Sequence, residues 1–408
     1  MLWKMKPIKK TKVIVAMSGG VDSSVAALLM KKQGFDVIGV FMKNWSDSKN
    51  EIGECNWKDE RKYAIQIAHK LKIPLITLDF EKQYKKEVIE KMFHDYYSGK
   101  TPNPDIDCNY KIKFPLLLRT AKKLNAEYLV TGHYARIRKD KKGKFELFRA
   151  KDESKDQSYF LYRTKQNELK KLIFPIGDYT KKQVREIAKK ENFPNFDKKS
   201  TVGICFVGKV NMKKFLQKKI KAKPGKILNH EGKVIGEHDG IYYYTIGQRL
   251  GEKNGIKILK NSDNGSIKKW YVAKKDSKKN IIIAAPEGHK LLCRKEIFIK
   301  NPFWINKDEV EKLVGKKVNN KIKSIVYSDK KEGWMVGAVE GGTNFKDSKL
   351  HARIRQLGKL IPVKIFRTPT ARKFRVSLNK PVIGIANGQA IVLYKGEKVL
   401  GGEEIAFE

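Results

Sequence analysis

Six residues, Ser18 to Ser23 (SGGVDS), join a short apolar run, Val13–Ala16, to a helix-like pattern over Val25–Lys32. Glycines and small hydroxyl residues at a helix start make an anion site. Backbone N–H groups face the ligand, the helix dipole adds partial positive charge, and glycine lets the backbone come close. The stretch contains neither G-x-x-x-x-G-K-[ST] nor G-x-G-x-x-G, which excludes a Walker-type loop and a dinucleotide fingerprint. Asp22 reads in two ways, as a cap of the following helix or as a holder of Mg²⁺.

Two cysteines have surroundings suited to chemistry. In TPNPDIDCNYKIKF (Thr101–Phe114), Asp105 and Cys108 lie three residues apart in what reads as a polar loop, beside Lys111 and Lys113. Positive charge favours the thiolate, and a nearby carboxylate can shuttle a proton. Cys205 sits in STVGICFVG (Ser200–Gly208), a glycine-bracketed apolar turn. Taken singly, each cysteine is equally readable as a small buried hydrophobe. Cys55 and Cys293 match no reactive pattern and read as incidental thiols. None of the four makes a C-x-x-C pair. That spacing speaks against a disulfide-stapled fold, a Cys-rich zinc site and an iron–sulfur cluster, so no metal site built on cysteine is expected.

These residues need a scaffold. In the first half, apolar runs (Val13–Ala16, FDVIGVFM, PLITLDF, AEYLVTG) alternate with helical spacing, as in Ala64, Ile67, Ala68 and Leu71, or Phe114, Leu117, Leu118 and Ala121. Strands separated by helices predict an α/β parallel sheet. Thr180 and Gln183 fit a capping box. Beyond residue 209 the chain turns to short β-like runs, predicting a small β-rich central domain and a C-terminal antiparallel β-barrel. The domain bounds read as 1–209, 210–295 and 296–408. KDKKGK (Lys139–Lys144) reads as a hairpin tip.

Lys plus Arg total 88 against 44 acids, a formal charge of +44 over 408 residues. A lysine-rich composition bias explains part of this, and a polyanionic partner, nucleic acid above all, explains the rest. The start, MLWKMKPIKK, lacks an apolar core for a signal, and no run is long enough to span a bilayer. A reducing, cytoplasmic setting is expected.

The loop S-G-G-V-D-S resembles the PP-loop of the ATP pyrophosphatase superfamily, which cleaves ATP between the α- and β-phosphates and transfers AMP to a carbonyl oxygen. Further motifs follow in order: FMKNW, N-P-D-x-x-C-N, T-G-H-Y-A, K-D-Q-S-Y-F, G-I-C-F-V-G, Y-T-I-G-Q-R and a late G-Q-A-x-V-x-Y. Together they make the chain similar to the tRNA-uridine 2-sulfurtransferase (tRNA-specific 2-thiouridylase) family. The resemblance implies ATP-dependent 2-thiolation of the wobble uridine in tRNAs for Lys, Glu and Gln, with ATP and Mg²⁺ as cofactors. It implies an ATP site at Ala16, Met17, Ser18, Gly19, Gly20, Val21, Asp22, Ser23, Met42 and Gly132. Cys205 would carry a persulfide from a donor protein, a relay protein or a cysteine desulfurase. Cys108 would resolve it, leaving a transient Cys108–Cys205 disulfide, and Asp105 would be the acid/base. Asn103, Pro104 and Asp105 would meet the target base. His133, Lys155, Asp156, Gln157, Arg355, Gln356 and Gln389 would meet the tRNA. A monomer with no membrane association is implied.

The chain departs from the family's patterns where KKSTVGICF lacks the usual acid, ARIRQLG replaces K-I-R-Y-R-Q, and IANGQ replaces P-G-Q. Two alternatives stay open at this point: another adenylating PP-loop tRNA-modifying enzyme, and a non-catalytic RNA-binding protein for which both cysteines are dispensable.

Overall fold

A computed structural model describes residues 11–46, 56–199, 207, 211–251, 256–258, 269–314, 349–368 and 372–407. Cys205 and Cys55 lie outside the described residues. The first half supplies seven strands: β1 (Lys12–Ala16), β2 (Asp36–Lys43), β3 (Leu75–Asp79), β4 (Tyr128–Thr131), β5 (Ala135–Lys139), β6 (Phe145–Arg149) and β7 (Leu172–Ile173). Five of them form one sheet in the order β3-β2-β1-β4-β7, with every pairing parallel. Val13, Ile14 and Val15 are all fully buried, as expected of a central parallel strand covered on both faces. Val13 and Val15 pack on one side with α1 (Val21–Lys32) and α2 (Asn56–Lys70). Ile14 packs on the other with Phe114, Leu117 and Leu129. Successive side chains thus serve opposite layers. The sheet is wound outward from β1, so the crevice beyond the carboxyl ends of β1 and β4 is a topological switch point, where open α/β sheets bind ligands.

Two local readings are corrected. Asp22 does not cap α1. Its N-cap is Gly20, with no side-chain cap, and the Ser23 and Ser24 hydroxyls both donate to the Gly20 carbonyl at 3.0 Å. Thr101–Phe114 is largely helical rather than a loop: an α-turn over Pro104–Asp107, a π-turn over Cys108–Lys113, then a helix over Phe114–Lys123. Asn103 caps it by accepting the Asp105 N–H at 3.2 Å, and Pro104 stands at the first helical position. The capping box does form, with Thr180 Oγ1 accepting the Gln183 N–H and Gln183 Oε1 accepting the Thr180 N–H.

The central unit is a five-stranded sheet of β8 (Gly225–Leu228), β9 (Val234–His238), β10 (Lys257–Ile258), β11 (Trp270–Asp276) and β12 (Ile281–Pro286), in the order β10-β9-β8-β12-β11. The last part carries β13 (Cys293–Lys300), β14 (Phe303–Trp304), β15 (Leu350–Arg353), β16 (Ile361–Arg367), β17 (Lys373–Ile383), β18 (Ala390–Lys395) and β19 (Lys398–Ala406). Its neighbouring strands are antiparallel, and β13 pairs with both β17 and β19, which closes the barrel. Alternate residues fill it: Ile297 and Ile299, Val363 and Ile365, Val376 and Leu378, Ile391 and Leu393. The β5–β6 hairpin of the first half joins this sheet, since Phe148 on β6 pairs with Lys398 on β19. The KDKKGK run is that hairpin's tip, turned by Asp140 Oδ1 accepting the N–H groups of Lys142 and Lys144 at 2.8 Å.

Candidate functional site

The chain leaves β1 at Ala16 and reaches α1 through Met17–Gly20, at the switch point. Gly19 adopts φ +75°, a left-handed conformation, and a Cβ there would meet the Glu60 carbonyl oxygen at 2.1 Å. The Ser18 N–H donates to Ser23 Oγ at 3.2 Å, closing the loop on itself. Asn195, fully buried, donates to the Gly19 carbonyl at 2.9 Å and to Ser24 Oγ at 3.0 Å. The loop is therefore shaped before any ligand arrives, which lowers the ordering cost of binding.

Asp22 faces a cation. Lys181 Nζ, at the start of the helix Lys181–Lys190, lies 2.6 and 2.8 Å from the two carboxylate oxygens. The Tyr134 hydroxyl donates to Asp22 at 2.8 Å. Burial lowers the affinity of Lys181 for its proton, and Asp22 offsets only part of that. Burial, then Asp22, pushes the Tyr134 hydroxyl well above the ordinary phenol range, so it stays a donor. A loop without a Walker lysine thus has an ammonium brought to it from a distant helix. Just past the end of β2, Asn44 is 1% exposed and neither of its side-chain amide atoms has a partner. A polar ligand edge would satisfy it. Met42, on β2, is buried in the adjoining core.

Gly132 follows β4. A Cβ there would lie 2.7 Å from both the Asp22 carbonyl carbon and the Ser23 nitrogen, so the turn is pressed against the first turn of α1. The next residue, His133, is buried, accepts from Lys113 Nζ at 3.4 Å, and pairs through Nδ1 with Thr131 Oγ1 at 2.7 Å. An ammonium only donates, so Nε2 is the bare nitrogen and Nδ1–H donates to Thr131. Burial, then Lys113, holds the imidazole neutral well below its usual range. Lys113 ends the π-turn that begins at Cys108. The turn after β4 and the cysteine-bearing turn are thereby joined through the Lys113–His133 contact.

Cys108 is fully buried, in the same apolar cluster as Met42, Phe114 and Val207. Asn109 Nδ2 donates to the Asp105 carbonyl at 3.0 Å, tying the residues on either side of Cys108 together. Burial raises the pKa of the Asp107 carboxyl, although Lys91 at 3.0 Å opposes the shift. Barrel residues come down onto this segment. The Thr101 N–H donates to the Asn387 carbonyl at 2.7 Å, and a Cβ on Gly388 would lie 2.8 Å from the Lys100 Cβ. Gln389 accepts the Ala386 N–H at 2.9 Å in the same turn.

The residues expected to face tRNA divide sharply. Lys155 is exposed. Asp156 is fully buried and bonded to Arg353 Nη1 at 2.6 Å, to the Ala150 N–H at 3.0 Å and to Ser158. Gln157 Oε1 accepts the Tyr134 N–H at 2.9 Å, and Gln356 Nε2 donates to the Asp156 carbonyl at 2.5 Å. Arg355 Nη2 donates to the Ile383 and Gly384 carbonyls. The Asp156–Gln157 segment therefore joins the turn after β4 to the barrel, and the Asp156 carboxylate faces protein. Arg353→Met removes the closer of two guanidinium partners and leaves the buried carboxylate with Arg149 at 3.4 Å, and the expected loss of stability is about 1.5–3 kcal/mol, the usual cost of losing a hydrogen bond to a charged group. Denaturant unfolding measures it, and a loss below about 1 kcal/mol would contradict the arrangement.

Lys181, Asn195, Tyr134, Asn44 and Arg353 were not singled out from sequence. Among the described residues no group of three or more His, Cys, Asp or Glu side chains could hold a metal ion. No helix among them is long and apolar enough to cross a membrane.

Comparison with known proteins covers nearly the whole chain. Family models described as a tRNA methyl transferase HUP domain, a tRNA methyl transferase PRC-barrel domain and an aminomethyltransferase beta-barrel domain match residues 11–209, 213–286 and 330–405. Full-length relatives are named tRNA-specific 2-thiouridylase MnmA. The protein from Bacillus licheniformis is 39% identical over 396 residues, which is 97% of this chain and 95% of that protein. The proteins from Bacillus subtilis and Lactobacillus helveticus are 39% identical over the same shares. The domain descriptions speak of methyl transfer, whereas the relatives that align end to end are named for thiolation. Among solved structures, NMN synthetase from Francisella tularensis overlaps 48% of this chain and 67% of its own, at 18% identity and TM-score 0.30. A 4-thiouridine synthetase–RNA complex with bound ATP overlaps 49% and 46%, at 14% identity and TM-score 0.32.

Proposed function

This chain belongs to the tRNA-specific 2-thiouridylase family, and from that premise we propose how its own residues carry out the thiolation of a tRNA uridine at C2. The observation that carries the proposal is the Asp22–Lys181 pair at the mouth of a preshaped loop lying at the sheet's switch point. ATP, as substrate, would lie with its phosphates on the Met17–Ser23 backbone. Asn44 and Met42 at the end of β2 and Gly132 at the end of β4 would flank the rest of the nucleotide. Mg²⁺ bound with ATP would neutralise phosphate charge, and Asp22 is the carboxylate that would help hold it. Lys181 would then turn from Asp22 to the phosphates, supplying positive charge where it develops as the α–β bond breaks.

Adenylation makes the uridine O2 a leaving group and releases pyrophosphate. The wobble uridine of tRNAs for Lys, Glu and Gln is the substrate we assign. Asn103–Asp105 would hold the base, with Asp105 as the acid/base. A persulfide on Cys205 would attack C2 through its outer sulfur, and AMP would depart. The Cys108 thiolate would attack the inner sulfur of the Cys205 adduct, freeing the 2-thiouridine and leaving a Cys108–Cys205 disulfide. A donor protein and a thiol reductant would restore the starting state. Splitting the substitution into two steps gives two lower barriers. A cytoplasmic monomer suits this thiol chemistry.

Cys108 and Val207, the latter two positions after Cys205 in sequence, belong to one buried apolar cluster, which supports assigning the two thiols to a shared pocket. Lys155 would contact the tRNA directly, whereas Asp156, Gln157 and Gln356 act by fixing the surface that meets it. The bounds 1–209, 210–295 and 296–408 are the division we adopt, with the β5–β6 hairpin as the tie between the first and the last.

The test is to supply ATP, a persulfide donor and unmodified tRNA and to look for a thionucleoside by mass. Wild-type protein is expected to form 2-thiouridine, with pyrophosphate released only when a cognate tRNA is present. Absence of 2-thiouridine under these conditions sinks the reading.

A further inference from the structure

A cleft of about 620 Å³ opens where the first half of the chain meets the barrel. One wall is the tip of the β5–β6 hairpin, with Lys139, Lys142 and Lys144. The other is the segment Ile305–Asp308 that leads into the helix Lys307–Leu313, and Lys170 completes the rim. Five of the lining residues are lysines, and the only acid among them, Asp308, is taken up by Lys144 at 2.6 Å. The floor is built. Gln166 Nε2 donates to the Phe145 carbonyl at 2.7 Å and to the Ile305 carbonyl at 3.1 Å, while its Oε1 accepts the Phe145 N–H at 3.1 Å. One half-buried side chain therefore stitches the two walls together. Asn306 stands at the helix start without capping it, and its side-chain oxygen is buried with no partner. A hydroxyl donor entering the cleft would satisfy that oxygen.

We propose that this cleft is a second binding site for the substrate RNA, one that grips backbone phosphates away from the reacting base. The proposal rests on the tRNA-modifying reading of the main site. Its position selects the ligand. β5 starts at Ala135, three residues after Gly132, and ends at Lys139 in the cleft wall. Four extended steps of about 3.3 Å separate those ends by roughly 13 Å. A nucleotide in the main site cannot fill both places, but a polynucleotide holding its target base there continues across such a distance. Lysines supply point charges for phosphates without reading bases. The unpartnered Asn306 oxygen matches the 2′-hydroxyl that distinguishes RNA backbone.

The test uses the full chain with Lys139, Lys142 and Lys170 all changed to alanine, and a parallel variant with all three changed to arginine. Binding of a cognate tRNA transcript is measured over a salt series. The alanine variant is expected to lose about 2–3 from the slope of log K against log salt, at roughly 0.9 per phosphate contact, and at least about tenfold in affinity. Its KM for tRNA rises while kcat at saturating tRNA stays within about twofold. The arginine variant retains the wild-type slope. An unchanged slope in the alanine variant overturns the proposal, and so does a collapse of kcat with KM unchanged. Loss of inorganic tripolyphosphate binding without a change in the tRNA slope also overturns it, by assigning the cleft to a small anion. If the slope falls as expected while wild-type protein forms no 2-thiouridine, the functional reading fails and the RNA site stands.

Discussion

Cys108→Ser forms no 2-thiouridine above about a thousandth of the wild-type rate, yet still releases pyrophosphate when cognate tRNA is supplied. In the proposed mechanism adenylation uses the loop after β1 and the turn after β4, whereas Cys108 begins a separate π-turn. Loss of the thiol therefore removes resolution of the persulfide and leaves activation of O2 in place. Because Cys108 is fully buried among apolar side chains, a serine hydroxyl there also costs folding energy, about 1–3 kcal/mol. Cys108→Ala avoids that cost and is expected to show the same chemical defect. Under the proposed mechanism Cys205→Ser is expected to go further and take up no sulfur, so that labelled sulfur stays off the protein. Nucleoside mass analysis with a parallel pyrophosphate assay reads all three. Undiminished 2-thiouridine from Cys108→Ala would remove Cys108 from the mechanism.

The second large effect lies at Lys181. Lys181→Met is expected to lower tRNA-dependent pyrophosphate release by about 10²–10³, the usual scale for removing one preorganised charge from a developing anion. The defect should fall on kcat/KM for ATP while the affinity for tRNA is unchanged. Lys181→Arg keeps the charge and is expected to recover part of the rate. Asp22→Asn separates the two roles, since it strands a buried ammonium while sparing the loop backbone. It should weaken the magnesium dependence of ATP binding as well as the rate. Wild-type pyrophosphate release by Lys181→Met would show that the ammonium serves only as the counter-ion of Asp22.

Much of this site was legible in the linear chain because its parts are local. The loop needs a strand, two glycines and a helix start, and all of these are contiguous in VIVAMSGGVDSSV. The capping box at Thr180 is equally local, and it formed as read. The polar reading of Thr101–Phe114 failed for a physical reason. Asn-Pro is a turn signal, but an Asn that caps and a Pro at the first helical position also begin a helix, and burial of Ile106, Cys108 and Ile112 settled the matter. Lys181 and Asn195 were not legible, because each acts on a loop more than 150 positions earlier and only folding brings them there. Asp156 misled in the opposite sense. An acid in a polar K-D-Q run reads as surface, and only the barrel strand carrying Arg353 shows why it is buried.

The pairing of β6 with β19 bears on whether the parts of this enzyme can be separated. The catalytic half does not end where its sheet ends, because its hairpin is completed by the last strand of the chain. Cutting away the barrel would leave β6 as a bare edge. Such an edge recruits strands from other chains, so the truncated half would be prone to self-association. The loops of the first half and the C-terminal barrel are therefore one folding unit, and a change in barrel sequence is felt at the turn after β4.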